Sequence, residues 1–212
     1  MNDWVDEMMK LYVALGSAAL APHIALEEAG ADYEAIKVDL NGGEQRKPEY
    51  LALNPKGRVP ALVTDRGILT EAPAILGYIA ELFPQAHLAP SDPFEFAQMQ
   101  SFNAYICSTV HIAHAHGRRS YRWADEQTSF DDMKRKLPQT VGEAFDLIEN
   151  EFLKGPWVMG EQYTICDPYL FTAALWRKGD GVLAERHPKV EEHMARMKLR
   201  PAVQAVFAQY KS

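Results

Sequence analysis

Apolar and polar positions alternate in the first part of the chain and give way to three-and-four spacing further on. The pattern predicts a small sheet with helices, followed by helices alone. Leu11, Val13 and Leu15 alternate with Lys10, Tyr12 and Ala14 and run into Gly16-Ser17, so a strand is expected over 9–15. A helix is expected over 18–29, ended by Gly30, with Pro22 either in its first turn or kinking it. A second strand, over 33–38, completes a strand-helix-strand unit, which calls for a parallel pair with a right-handed crossover. The residues at 61–64 and 68–70 flank Asp65-Arg66-Gly67 and read as a hairpin, and a helix over 71–82 follows. That order is a small α/β sandwich.

Pro84, Pro90 and Pro93 sit among small and polar residues and mark a linker over 84–92. Beyond it, Met99, Phe102, Ile106, Val110 and Ala113 form one amphipathic series, and Leu137, Val141, Phe145, Ile148 and Phe152 form another. The expected organisation is an arm over 1–8, an α/β domain over 9–83, the linker, and an all-helical domain over 93–212.

At 212 residues, 47% hydrophobic and 24% charged, the chain is ordinary globular material with room for one large or two small domains. Its formal charge of −7 opposes a phosphate backbone, which makes nucleic acid an unexpected partner. Cys107 and Cys166 are too few for a disulfide framework or a four-ligand zinc site. Asp3, Asp6 and Glu7 stand where a secretory signal carries positive charge, and no apolar run reaches bilayer length. A cytoplasmic protein with no membrane partner is the expectation.

Three stretches invite chemistry. In Asn54 to Leu62, Pro60 opens a strand and forfeits a ladder bond. A cis Val59-Pro60 bond would turn the Val59 backbone outward to pair with an extended peptide. A trans proline capping an edge strand is the commoner arrangement. In Thr70-Glu71-Ala72-Pro73, Thr70 is a candidate N-cap of the following helix. Glu71 can pair with an ammonium there while the Ala72 N-H receives a carboxylate, although an acid in a first turn also serves simply as a dipole partner. Thr164-Ile165-Cys166-Asp167 has the pattern of a reciprocal cap opening a buried helix over 164–177.

These pieces, in this order, resemble the cytosolic glutathione transferases. Met9-Lys10-Leu11-Tyr12, Pro22-His23-Ile24-Ala25-Leu26, Asn54 to Leu62 and Trp157-Val158-Met159-Gly160 are similar to the bacterial Beta class. The resemblance implies a thioredoxin-like N-terminal domain, an all-helical C-terminal domain, a cis Val59-Pro60 bond and a homodimer. It further implies glutathione as co-substrate, held by Val59 and Pro60 at its cysteinyl backbone and by Glu71 and Ala72 at its γ-glutamyl end. Arg58 is placed to approach the glycyl carboxylate. The implied reaction is conjugation of glutathione to a small, largely apolar electrophile, or reduction of an organic hydroperoxide. A non-catalytic glutathione-binding or protein-interaction module of the same fold is the alternative.

The sequence departs from the Beta class where that class carries cysteine and serine after the first strand, for Ala18 and Ala19 stand there. Neither can touch a thiol chemically, and the whole N-terminal domain lacks a cysteine for disulfide exchange. Ser17 is the remaining hydroxyl in that turn and the leading candidate to support the sulfur, or an ordinary turn residue. Lowering a thiol pKa from about 8.5 by about two units raises its ionised fraction some 25-fold at pH 7. The thiolate's nucleophilicity falls roughly eightfold at the same time, so the net gain is only about threefold. Positioning contributes more, and loss of one donor is compatible with transfer.

Cys107, His111, His114 and Arg118 fall at intervals of four, three and four. By the resemblance His111 matches a histidine near the sulfur and is the second catalytic candidate. A metal site from Cys107, His111 and His114 lacks a fourth ligand in sequence, and none is expected. Arg118, Arg119 and Arg122 either greet an acidic substrate or form a solvated face with Asp125 and Glu126.

Overall fold

The computed structural model describes residues 8–210, so the arm expected over 1–8 lies, apart from Met8, outside the described residues. The described chain forms two compact units: one runs up to Ala89 and takes in the chain from Arg200 onward, the other spans Pro90–Leu199.

The first unit opens with strand β1 (Met9–Val13), helix α1 (Leu20–Glu28) and strand β2 (Tyr33–Lys37), with β2 parallel to β1 as the strand-helix-strand pattern requires. Pro22 falls in the first turn of α1, where its missing N-H forfeits no helical bond. A short helix α2 (Pro48–Leu53) then leads to β3 (Ala61–Thr64), β4 (Gly67–Thr70) and α3 (Ala72–Leu82). Gly67 pairs directly with Thr64, so the hairpin turn is Asp65-Arg66 alone, one residue tighter than the sequence suggests.

The four strands lie in the order β2-β1-β3-β4, with β3 antiparallel to both neighbours. Leu11 of β1 faces Leu62 of β3, and both are fully buried. Ile24 and Leu26 of α1 and Ile75, Leu76 and Ile79 of α3 are buried with them, and the two helices pack on each other. Burying a side chain of this size contributes about 1.5–3 kcal/mol, so these positions hold the sheet and helices together. The last helix, α9 (Pro201–Gln209), packs on α1 in this unit. The boundary therefore differs from an all-helical domain over 93–212: its final helix groups with the α/β unit.

The second unit is helical. Helix α4 (Pro93–Tyr105) is capped by Asp92, whose carboxylate accepts from the N-H groups of Phe94 and Glu95. It passes through a π turn (Ile106–Val110) into α5 (His111–Arg118). Helix α6 (Gln127–Leu147) ends in a second π turn (Ile148–Phe152), and α7 (Cys166–Ala174) and α8 (Pro188–Leu199) follow. Met99, Phe102 and Ile106 and the series Leu137, Val141, Phe145 and Ile148 supply core side chains.

Every residue of α7 is buried, and its polar side chains Asp167 and Thr172 are hydrogen-bonded. The α7 start carries the expected T-x-x-D cap in altered form. Thr164 N-H donates to the Asp167 carboxylate at 2.7 Å, but the Thr164 hydroxyl accepts from Cys166 N-H rather than from Asp167. The same carboxylate also takes the Val158 N-H and His193 Nε2, all fully or nearly fully buried. Losing the carboxylate would orphan three buried donors, the Thr164 and Val158 N-H groups and the His193 Nε2-H, at about 1–3 kcal/mol each.

Candidate functional site

Strand register decides which candidates meet. Tyr12 at the end of β1 lies opposite Ala61 at the start of β3, and Ala61 lies opposite Thr70 at the end of β4. The loop carrying Ser17, the Arg58-Val59-Pro60 approach and the Glu71-Ala72 helix entrance therefore emerge at one end of the sheet. His111 belongs to the other unit and opens α5 there.

The Val59-Pro60 bond is cis. Among the described residues neither the N-H nor the C=O of Val59 has a backbone partner, which leaves both for an extended chain lying alongside. The approach to it is pinned: Tyr50 Oη and Asn54 Nδ2 each donate to the Arg58 carbonyl at 2.7 Å. Burial pushes the Tyr50 hydroxyl up to about 12, so it stays a donor across the physiological range. Asn54 is buried, and Tyr50 stands edge-on to the Tyr12 ring at 5.7 Å. The Arg58 side chain is exposed and makes no ion pair among the described residues.

Glu71 occupies the N-cap position of α3 with φ 73°, a region that non-glycine residues rarely enter. Such a conformation persists where surrounding structure enforces it and points towards function. Its carboxylate receives Lys56 Nζ at 2.6 Å, and the same ammonium bonds Thr70 Oγ1 at 2.6 Å. Thr70 is thus not the helix cap that its position suggested. It is the last strand residue, and its hydroxyl serves Lys56. The Ala72 N-H at the first turn has no backbone partner among the described residues, and the helix end makes it a receptor for negative charge. An acid, an ammonium and a free N-H at one helix entrance complement an amino-acid head group, which carries both charges.

Of the two roles open to Ser17, its bonds are those of the turn residue. Its hydroxyl donates to the Ala14 carbonyl at 2.7 Å and accepts from the Ala19 N-H at 3.2 Å, the pattern of a turn residue at a helix start. Its one proton is engaged, so a sulfur must displace the carbonyl to receive it. Ala18 and Ala19 are buried.

In the second unit the intervals of Cys107, His111, His114 and Arg118 cross the π turn, whose wider i→i+5 bonding breaks the single stripe that regular helical spacing predicts. His114 Nδ1 bonds the buried Asp180 carboxylate at 2.8 Å and stacks on Trp176 with ring centroids 4.6 Å apart. His111 lies 4.9 Å from the same indole. Cys107 Sγ donates to the Ala104 carbonyl. Among the described residues no three His, Cys, Asp or Glu side chains are placed to hold a metal ion, and no helix is long and apolar enough to cross a membrane. Arg118 and Arg122 make no ion pair with Asp125 or Glu126 among the described residues.

Sequence reasoning passed over Lys56, Tyr50 and Asn54 as site residues. Asn54 and Lys56 stood within the quoted Asn54 to Leu62 stretch, and Pro48 was a signal of the helix that carries Tyr50.

Residues 7–81 match the family model "Glutathione S-transferase, N-terminal domain". The chain is 33% identical over 199 residues to glutathione S-transferase GstA of Escherichia coli O157:H7, covering 92% of this chain and 96% of that protein. It is 32% identical over 188 residues to maleylacetoacetate isomerase of Pseudomonas aeruginosa, covering 86% and 87% respectively. Among solved structures, a glutathione transferase homologue from Sulfitobacter with bound glutathione is 46% identical with a TM-score of 0.93, covering 95% of this chain and 98% of that one.

Proposed function

From the premise that the chain belongs to the glutathione S-transferase family, we propose that it binds glutathione and conjugates it, through its thiolate sulfur, to a small, largely apolar electrophile. The observation that carries this reading is the convergence at one sheet end of an unpaired Val59 edge and the Lys56-Glu71-Ala72 helix entrance. An extended γ-glutamyl tripeptide suits that arrangement. Its cysteinyl N-H and C=O pair with Val59, its ammonium goes to Glu71, its γ-glutamyl carboxylate goes to the Ala72 N-H, and its glycyl carboxylate lies towards Arg58. Glutathione brings the nucleophile, so no covalent enzyme intermediate is needed.

In this mechanism the enzyme's contribution is mainly positional. Fixing thiolate and electrophile together outweighs what one donor can add through ionisation. Ser17 supports the sulfur by giving up Ala14 O for the more strongly accepting thiolate, and the resemblance keeps His111 as the second catalytic candidate. We place the protein in the cytoplasm as a homodimer, acting in detoxification of electrophiles. Reduction of organic hydroperoxides needs the same bound thiolate and belongs to the same proposal.

Retention on immobilised glutathione, mass by light scattering and turnover of an aryl halide test the reading together. The native protein is expected to bind, to weigh about two chains and to turn over, while Glu71→Gln loses glutathione affinity by about tenfold or more, the worth of a charged hydrogen bond. Binding without turnover would establish the non-catalytic module instead. Similarity to an isomerase favours one competing reading, a cis-trans isomerisation assisted by glutathione. Turnover of maleylacetoacetate without aryl-halide conjugation would select it.

A further inference from the structure

A cavity in the helical unit lies among residues that the glutathione reading does not use. Where the π turn after α6 runs out, residues 153–156 face α8 across a cavity of about 280 Å³. Lys154, Lys189 and Arg196 line it against a single acid, Glu192. Three cations and one anion give the lining a formal charge of +2, in a chain whose total is −7.

Two of the three cations are held in place by backbone carbonyls, and Lys154 is exposed. Lys189 Nζ donates to the Glu149 carbonyl at 2.9 Å, and Arg196 Nη1 reaches the Pro156 carbonyl at 3.4 Å. Both keep donors to spare, since an ammonium has three and a guanidinium five. Arg196 Nη2 also touches Glu192 at 3.2 Å, and Lys154 makes no ion pair among the described residues.

The loop beneath is closely packed and cross-bonded. Trp157 and Gly160 exchange backbone hydrogen bonds at 3.1 Å, and Gly155 packs so closely on Gly160 that a Cβ there would lie 2.9 Å from the Gly160 carbonyl oxygen. The neighbouring start of α8 is not itself the attraction, because the Glu149 carboxylate already takes the N-H groups of Lys189 and Val190.

We infer that this cavity binds a compact oxyanion carrying two or more charges, the chemistry shared by phosphate esters and small dicarboxylates. Paired charges at this distance and exposure are worth little one at a time, so a monovalent anion is held poorly and a multivalent one gains from several cations together.

Calorimetric titration of the full-length protein tests this at constant ionic strength, with inorganic phosphate and succinate in separate arms and chloride as the balancing salt. Saturable one-site binding of phosphate or succinate is expected, and the tighter arm identifies the source of the oxyanion. Lys154→Ala should weaken it and Glu192→Gln should tighten it, each by about threefold. Those opposite signs would not follow from a merely structural role for the two side chains. Glu71→Gln, in the other unit, should leave it unchanged. Circular dichroism checks that each variant is folded. No saturable binding, or equal binding by native protein, Lys154→Ala and Glu192→Gln, overturns the site.

Discussion

Ser17 spends its hydroxyl proton on the Ala14 carbonyl, so a sulfur arriving at the end of β1 competes with an existing 2.7 Å bond. A thiolate is the stronger acceptor because it is charged, and the exchange is favourable only in the ionised state. The consequence is an asymmetry between rate and titration. Replacing Ser17 by Ala should raise the apparent pKa of the pH-rate profile for conjugation by about one to two units, as expected for a charged hydrogen bond. It should lower kcat/KM near pH 7 by only about threefold, because the more basic thiolate is also the better nucleophile. A pH-rate profile that does not move on Ser17→Ala would leave sulfur support to backbone N-H groups. Glu71 makes the complementary point at the same scale: its φ of 73° directs an acid to the α3 entrance, and Lys56 holds that acid in place.

At the scale of elements, α1 links the two ends of the chain's first unit. Its His23 is buried, with Nε2 3.1 Å from Gln209 Oε1 and Nδ1 3.2 Å from Tyr210 Oη, and the Arg200 guanidinium bonds both carboxylate oxygens of Glu28. Gln209 Oε1 can only accept, so His23 carries its proton on Nε2 and takes the Tyr210 hydroxyl on Nδ1. Burial lowers the His23 pKa below its ordinary 6.5, against the opposing pull of Gln209 and Glu27. The folded form therefore binds fewer protons than the unfolded one as pH drops below about 6.5, and stability falls until the depressed pKa is passed. His187, buried in the other unit, shifts the same way. Unfolding by urea should show stability level between about pH 7 and 8 and declining from about pH 6.5 downward, with a shallower decline in His23→Gln. An identical slope in that variant would contradict the assignment to His23.

The same elements explain how far the sequence could be read. Strands β1 to β4 and helices α1 and α3 were legible because alternation and turn chemistry are local properties. Helix α2 was not: six residues are too few to show a period, and Asn41 to Lys47 is polar throughout. The π turns escaped because an extra residue in a helix leaves apolar spacing nearly intact while rotating polar positions, as at Cys107 and His111. The candidates Val59 and Glu71 were legible as candidates because each lies inside a short local motif. The Lys56 bridge was not, because it spans 15 residues and depends on strand register. That α9 returns to α1 also depends on contacts between Glu28 and Arg200, which no local pattern announces.

Taken whole, the molecule carries a formal charge of −7 and yet is assigned two anionic ligands. Glutathione is itself negative at neutral pH, so attraction has to come from local arrangement: Lys56, Arg58 and the α3 entrance in one unit, Lys154, Lys189 and Arg196 in the other. Such short-range attraction survives physiological salt better than a long-range field, since screening acts beyond roughly 8 Å. The proposed grip on glutathione itself draws on the first unit alone. A crystal structure of the protein with glutathione tests it most directly. The account predicts an extended tripeptide whose cysteinyl N-H and C=O lie about 3 Å from the Val59 backbone, with its ammonium at the Glu71 carboxylate. Glutathione bound elsewhere, or bound with Val59 and Glu71 both out of hydrogen-bond reach, would contradict it.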